Sequence, residues 1–416
     1  MDRPIIKSLM DLDFYKLTMG QLIFLMYAHI PVTFSFINRS IDVQLPKHIN
    51  VDELREQLEH ARTLRINPDE LGWLVSSTSI SGKRILQDPY LKFLSTLRLP
   101  EFNLEVDDDR RLHLQFYGPW STVVYWETIA LSIINEMWCQ SQMKDMSRFE
   151  RDLILTEGKM RLGKKIALLN QPQCEGLTFS DFGTRRRFSG DWQSYVVDAM
   201  ANELTQAKFR GTSNVRLAMD HHLRPIGTSA HELPMIMSGI MHKNDDSIRA
   251  SNQQVLTDWW NLYGHELSIF LPDTYGTKFF FDNLTHEQVV NWRGFRHDSG
   301  DAIEFGEKVI SFYQSHDVDP REKIVVFSDG LDIEKIIKFY GHFKGRIDTD
   351  NGWGTTLTND MGLRTLSLVV KATEACGHGL VKLSDNLAKA TGNPTDVERF
   401  KKIFGHTVTT RTECKV

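Results

Sequence analysis

The period of apolar positions changes along the chain and separates its two ends from its middle. Residues 17–28 form an apolar run interrupted by Gly20 and Gln21. It reads as a core helix: no A-x-A cleavage site follows, and the run is far short of the ~20 residues of a membrane span. Residues 31–37 alternate apolar and polar, which predicts a strand. Helices are predicted over 51–64 and 67–78, the second opening on the capping sequence Asn67-Pro68-Asp69. Residues 101–106 and 111–117 read as strands, and 119–145 as one long buried helix without breakers.

From about 177 to 350 the pattern becomes short apolar runs, each ending in a polar, glycine-containing cluster and followed by a helical stretch. The runs are 177–179, 208–209, 225–226, 267–271, 292–295, 324–327 and 343–347. A spacing of mostly ~20 to 40 residues is the size of a strand–helix unit, and about seven such units predict a parallel α/β barrel, irregular or incomplete. Strand-like segments return at 366–371 and 379–383, and a short helix is predicted near 396–404. The expected organisation is residues 1–145 with 360–416 as one α/β domain formed by both chain ends, and 146–359 as the barrel domain.

Composition narrows the class. With 41% hydrophobic and 25% charged residues the chain can bury an ordinary core, so it is not of a disordered class. A net charge of −5 argues against a general nucleic-acid or membrane-surface binder, while leaving room for a local basic pocket. The four cysteines, Cys139, Cys174, Cys376 and Cys414, show no C-x-x-C spacing, which suits a reduced, cytoplasmic setting.

The polar clusters carry the chemistry because they fall just after predicted strands, where barrel enzymes place their active sites. They begin at Ser180, Gly211, Gly227, Pro272, Arg296, Ser328 and Gly352. Gly211-Thr212-Ser213-Asn214 and Gly352-Trp353-Gly354-Thr355-Thr356 offer free backbone N–H groups to phosphate oxygens. Arg185-Arg186-Arg187 supplies guanidinium forks for phosphate. Asp273, Asp298 and Asp329 are carboxylates suited to Mg²⁺, and Phe182 and Tyr15 are rings able to stack on a flat ligand. Any one cluster alone is an ordinary turn, cap or solvated charge run. Their recurrence at corresponding points of successive units is what points to a site.

Asp181-Phe182-Gly183-Thr184-Arg185-Arg186-Arg187-Phe188-Ser189, Gly211-Thr212-Ser213-Asn214-Val215, Pro225-Ile226-Gly227-Thr228 with Ala230-His231-Glu232, and His297-Asp298-Ser299-Gly300-Asp301 resemble the nicotinate phosphoribosyltransferase family. So do Ser328-Asp329-Gly330-Leu331-Asp332, Leu357-Thr358-Asn359-Asp360 and the early Asp13-Phe14-Tyr15-Lys16, and the matches run in order from about 11 to 386. The resemblance implies an irregular α/β barrel plus a second α/β domain. It also implies the reaction of nicotinate with phosphoribosyl pyrophosphate to give nicotinate mononucleotide and pyrophosphate, coupled to ATP hydrolysis, in NAD salvage. ATP and Mg²⁺ are the implied cofactors.

By position, the resemblance makes His231, Glu232 and Asp298 the catalytic residues, with His231 the histidine phosphorylated by ATP and Glu232 the group that orients or polarises it. Phe182 stacks on the pyridine ring and Tyr15 closes the other side, in relatives from a neighbouring subunit, which implies a homodimer. Arg185 and Arg296 serve the substrate carboxylate or the phosphates. Asp298, Gly330, Gly352 and Gly354, with Asp329, Thr212 and Thr355, line the ribose and phosphate pocket, and Asp273 is the Mg²⁺ or pyrophosphate-side carboxylate. Ser213 favours nicotinate, because related nicotinamide-using enzymes carry an acid there, which repels a substrate carboxylate. The chain departs from the family pattern at Asn351 and Trp353, where an aromatic and an aliphatic residue are usual. Other readings are a nicotinamide phosphoribosyltransferase, a metal-dependent hydrolase using His221, His222, His297 and Asp298, and a non-catalytic nucleotide sensor.

Overall fold

A computed structural model gives the fold and describes residues 3–79 and 81–412; Cys414 lies outside the described residues. Two sheets organise the chain. The antiparallel one has the order β11-β10-β1-β3-β2. Its strands are β1 (Pro31–Asn38), β2 (Phe102–Val106), β3 (Leu112–Pro119), β10 (Leu368–Ala375) and β11 (His378–Gly379), so both chain ends build it. Alternation explains the central strand: Val32, Phe34 and Phe36 of β1 are buried while their neighbours are partly exposed.

The second sheet is parallel, in the order β5-β4-β9-β8-β7-β6. Its strands are β4 (Thr178–Asp181), β5 (Lys208–Thr212), β6 (Ile269–Phe270), β7 (Gly294–His297), β8 (Ile324–Phe327) and β9 (Asp348–Trp353). β4 and β8 are buried at every position, as expected of strands covered on both faces. Beyond β5 the segment read as a strand at 225–226 contributes one bridge, Thr212 to Pro225. No ladder among the described residues joins β6 to that far edge. The expected barrel is therefore open in its backbone pairing: β6 is two residues long, and Pro225 has no N–H to extend a ladder.

Three other expectations shift. The helix predicted over 119–145 is two, Trp120–Val123 and Trp126–Gln142, because Trp120 and Trp126 are anchored separately. Trp120 donates to Glu232 and Trp126 to the Pro100 carbonyl. The last barrel strand is Asp348–Trp353 rather than 343–347, since Phe343 closes the helix Ile333–Phe343. Of the stretch 379–383, only Gly379 lies in a strand, with a single further bridge at Lys382.

Register places the site. His297 pairs with Phe327, Phe327 with Asn351, and Asp181 with both Trp353 and Thr212. The carboxyl ends of β4, β5, β7, β8 and β9 thus share one edge, and Phe182, Ser213, Asp298, Ser328 and Gly354 follow it. One hydrophobic cluster runs through both sheets. A smaller one, including Tyr275, Phe279, Val381, Leu383, Phe400 and Phe404, fixes the C-terminal segment against the loop after β6. There the Tyr275 and Phe404 rings stack at 3.9 Å, and the Leu383 N–H donates to the Thr274 carbonyl.

Arg187 is a structural member of the arginine triplet. It is 1% exposed and donates to both oxygens of Asp11 at 2.6 and 2.8 Å. Glu136 lies 3.7 Å from the same guanidinium and accepts from the Gly190 N–H. Burial outweighs Arg187 and pushes the Glu136 carboxyl up to about 7. The folded protein thus keeps a proton that the unfolded chain loses near its ordinary value of 4.5. Stability from this group is full below 4.5 and is lost as pH rises through about 7. Glu136→Gln should flatten that slope, by about 1.4 kcal/mol per pH unit at most, in urea melts taken across the window. An unchanged slope in the variant refutes the assignment.

Candidate active site

A cavity opens at the shared strand edge, between the parallel sheet and the face of the antiparallel sheet that carries β1 and β10. Its lining includes Asp13, Tyr15, Phe182, Arg185, Ser213, His231, Glu232, Arg296, Asp298, Asp329, Gly330, Gly352, Gly354 and Thr355. Nearly every residue singled out from sequence is therefore brought together. Tyr15 reaches the cavity within the same chain.

The ring-sized end is set by close approach. A Cβ on Gly352 would lie 2.3 Å from Phe182 Cδ2, so only glycine lets the ring lie against β9. A Cβ on Gly227 would lie 2.8 Å from the Tyr15 N, so glycine also lets the start of the helix Tyr15–Met26 seat against this loop. The Arg185 guanidinium lies 5.7 Å from the Tyr15 ring centre. Beneath these rings runs a buried ionic chain. Lys16 bridges Glu127 and Glu232 at 2.6 Å each; Arg185 reaches Glu127 at 3.0 Å and Asp13 at 3.4 Å. Ser213 donates to Asp13 at 2.6 Å. Trp353 does not obstruct the glycine loop: it is fully buried, packs edge-on against Phe179 and donates to Thr356.

His231 sits at the other end. Its Nε2 is 3.0 Å from Asp298 and 3.6 Å from Asp273, and its Nδ1 is 2.9 Å from the Thr274 hydroxyl. Burial, with Lys382 adding to it, holds the imidazolium down to about 4, so the ring is neutral near pH 7. An ionised Asp298 only accepts, which puts the proton on Nε2 and the lone pair on Nδ1. Lys382 lies 3.3 Å from Asp273 and 3.7 Å from Asp298, and Lys389 lies 2.6 Å from Asp329.

The cavity is also crowded with cations: Arg39, Arg186, Lys371, Lys382 and Lys389. Burial, then the neighbouring Arg185 and Arg39, brings Arg186 down to about 10; burial, then Lys382 and Arg39, brings Lys371 down to about 7. Positive charges pressed together this way are relieved by a polyanion.

The structure corrects three sequence-based roles. Thr212 is fully buried and donates to Asp181 at 2.7 Å, so its hydroxyl serves the fold and not the cavity. Glu232 does not orient His231: its oxygens are held by Lys16 and Trp120, and Asp298 is the carboxylate on the imidazole. His221 bonds Ser194, and His297 packs against Phe305; the one cluster with metal-ligand spacing among the described residues is His231, Asp273 and Asp298. Sequence reading missed Arg39, Glu127, Lys371, Lys382 and Lys389. They come from the antiparallel sheet, the helix Trp126–Gln142 and the C-terminal segment, not from glycine-rich turns after barrel strands.

The sequence profile of the nicotinate phosphoribosyltransferase (NAPRTase) family matches residues 177–408, and that of its N-terminal domain matches 10–135. The chain belongs to the nicotinate phosphoribosyltransferase family. Its fold is similar to that of nicotinate phosphoribosyltransferase from Porphyromonas gingivalis, with a TM-score of 0.85 at 29% identity over 96% of this chain and 100% of that one. It is likewise similar to that of the Vibrio cholerae enzyme, with a TM-score of 0.87 at 28% identity over 99% of this chain and 96% of that one. Membership is consistent with a small-molecule site, and no helix among the described residues is long and apolar enough to cross a membrane.

Gly352→Ala should fold and still displace the Phe182 ring, at a stability cost of about 1–3 kcal/mol. Intrinsic affinity for ring-bearing ligands should fall with it, read by calorimetric titration. Wild-type affinity in the variant contradicts the packing account.

Proposed function

We propose that the protein joins nicotinate to the phosphoribosyl group of phosphoribosyl pyrophosphate, releasing pyrophosphate, with ATP hydrolysis coupled through His231. The reading is carried by one arrangement: the rings of Phe182 and Tyr15 line the same cavity as a crowded cation cluster and His231. The pyridine ring lies against those rings with its carboxylate toward Arg185 and Ser213. The ribose and 5′-phosphate follow Asp298, Asp329-Gly330 and the Gly352–Thr355 turn, with Arg296 alongside. The pyrophosphate meets Arg39, Arg186, Lys371, Lys382 and Lys389.

The ring nitrogen forms its bond to the ribose anomeric carbon as the bond to pyrophosphate breaks. The protein's work is to align the two and to balance the charge that leaves. Asp273 Oδ1, buried and without a hydrogen-bond donor, with Asp298 nearby, is a hard oxygen set that fits Mg²⁺. Bound there, Mg²⁺ supplies further neutralisation of polyphosphate charge.

The neutral His231 ring offers its Nδ1 lone pair, once the Thr274 hydroxyl turns away, to the γ-phosphoryl group of ATP, with ADP as leaving group and water later releasing phosphate. While it lasts, the phosphoryl group adds negative charge beside Lys382 and reshapes the cation cluster. A cytoplasmic place in NAD salvage fits these substrates.

The test is a product assay with nicotinate, phosphoribosyl pyrophosphate and Mg²⁺, with and without ATP, beside His231→Ala. The expected result is nicotinate mononucleotide whose yield rises with ATP in the wild type and not in the variant. An ATP response surviving in His231→Ala removes the phosphohistidine. Product from nicotinamide alone would turn the assignment to that substrate, and no product from either to a nucleotide sensor.

A further inference from the structure

We infer that Asp13 is a specificity residue that takes up one proton when a pyridine carboxylate binds, so that the protein selects its substrate's acid group by sharing a proton with it. The inference rests on the placement of the substrate carboxylate near Arg185 and Ser213 proposed above.

Asp13 lines the cavity yet is 2% exposed. Its Oδ1 accepts the Ser213 hydroxyl at 2.6 Å, and its Oδ2 lies 3.4 Å from Arg185 Nε. The resident carboxylate thus already uses the groups a substrate carboxylate needs. Ser213 has one proton, and it is given to Asp13, so the oxygen shows the cavity only lone pairs. Arg185 Nη1 is given to Glu127 at 3.0 Å, which leaves Nη2. In this state the site offers a carboxylate one donor, Arg185 Nη2, and otherwise acceptors that suit a carboxamide N–H₂.

Charge leads to the same point. The buried chain of Asp13, Glu127 and Glu232 against Lys16 and Arg185 sets three acids against two bases in contact, with Lys371, itself brought down to about 7 by burial, acting on Glu127 from further off. A substrate anion adds a fourth acid. Two carboxylates in one small site hold one proton between them, as like charges in contact cannot both stay ionised. Asp13 is the member placed to hold it. The groups facing it are Thr184 and Arg185 on one segment, Ser213 on the loop after β5 and Glu127 on the helix Trp126–Gln142. Asp181 and Arg187 act on it from behind, and Tyr15 follows it on its own segment. Burial already raises its carboxyl above the ordinary range against the pull of Arg185. Once protonated, Asp13 releases the Ser213 hydroxyl and becomes a donor itself. The incoming carboxylate then meets Arg185 Nη2, Ser213 Oγ–H and Asp13 O–H. Neutral nicotinamide brings no charge and calls for no proton.

The experiment is calorimetry of nicotinate and of nicotinamide onto the full-length protein, with Mg²⁺ and inorganic pyrophosphate present, in buffers of different ionisation enthalpy. The wild type should take up about one proton with nicotinate and none with nicotinamide. Nicotinate affinity should fall about tenfold per pH unit between the pKa of Asp13 in the free protein and its higher value in the complex, the window in which the proton is taken up. Asp13→Asn keeps a donor and loses the titration: nicotinate should bind it without proton uptake and with affinity level across pH. Nicotinate binding without proton uptake in the wild type, or with equal uptake in Asp13→Asn, overturns the inference and leaves the functional reading standing. No nicotinate binding overturns both. Should the variant not fold, the contrast between the two ligands on the wild type decides alone.

Discussion

The site depends on one buried ammonium. Lys16 has no exposed surface and holds Glu127 and Glu232 at 2.6 Å each. It sits in the first turn of the helix Tyr15–Met26, while its partners belong to Trp126–Gln142 and Glu232–Ile240. Three helices distant in sequence are thereby fixed at one point. The consequences spread outward: Tyr15 is placed beside the cavity, Glu127 steers Arg185, and Glu232, the residue next to His231, is pinned. A buried charge of this kind is a poor source of net stability, because desolvation consumes most of its Coulomb gain. Its value is that any other arrangement leaves an acid or a base unpaired inside the core, which is far worse.

The parallel sheet was legible because its strands are short apolar runs, such as Ile324–Phe327, and strands covered on both faces need that composition. β9 was misplaced for the complementary reason. Its sequence, Asp-Thr-Asp-Asn-Gly-Trp, reads as a turn, yet most of it is buried because β8 and β4 pair on either side and satisfy its backbone. The polar side chains there find partners too: Asn351 donates to the Thr178 carbonyl. Tertiary pairing thus overrode local preference. The helix Arg148–Leu169 went unread because its apolar residues are mixed with charge along most of its length and few of them are buried.

The site was legible where chemistry follows a strand and hidden where it does not. Turns after barrel strands announce themselves with glycine and hydroxyl residues, so Phe182, Ser213, His231, Asp298 and Gly352 stood out. A lysine on an antiparallel strand, such as Lys371 of β10, looks like any solvated charge until the sheet is laid over the cavity. Thr212 shows the opposite error. Its motif fits a phosphate turn, but its hydroxyl is drawn inward by the buried Asp181, whose carboxyl burial raises to about 6.

The two ends of the cavity are built on different electrostatic plans. Around Asp13, Glu127 and Glu232 acids outnumber bases and every close group is hydrogen-bonded, which suits a small, flat ligand recognised by donors and acceptors. Around Lys371, Lys382 and Lys389 the bases crowd until burial and mutual repulsion bring one of them to about 7, which suits a ligand carrying many charges that leaves once the reaction is over. On the proposal above, the acidic group rearranges a proton to admit its ligand, while the lysines meet a polyanion with their charges already in place. His231 is hydrogen-bonded to Asp298, the carboxylate that Lys382 approaches at 3.7 Å. A change of charge at that position is felt by Asp298 and the lysines together, and the proposed coupling through His231 rests on that electrostatic ground.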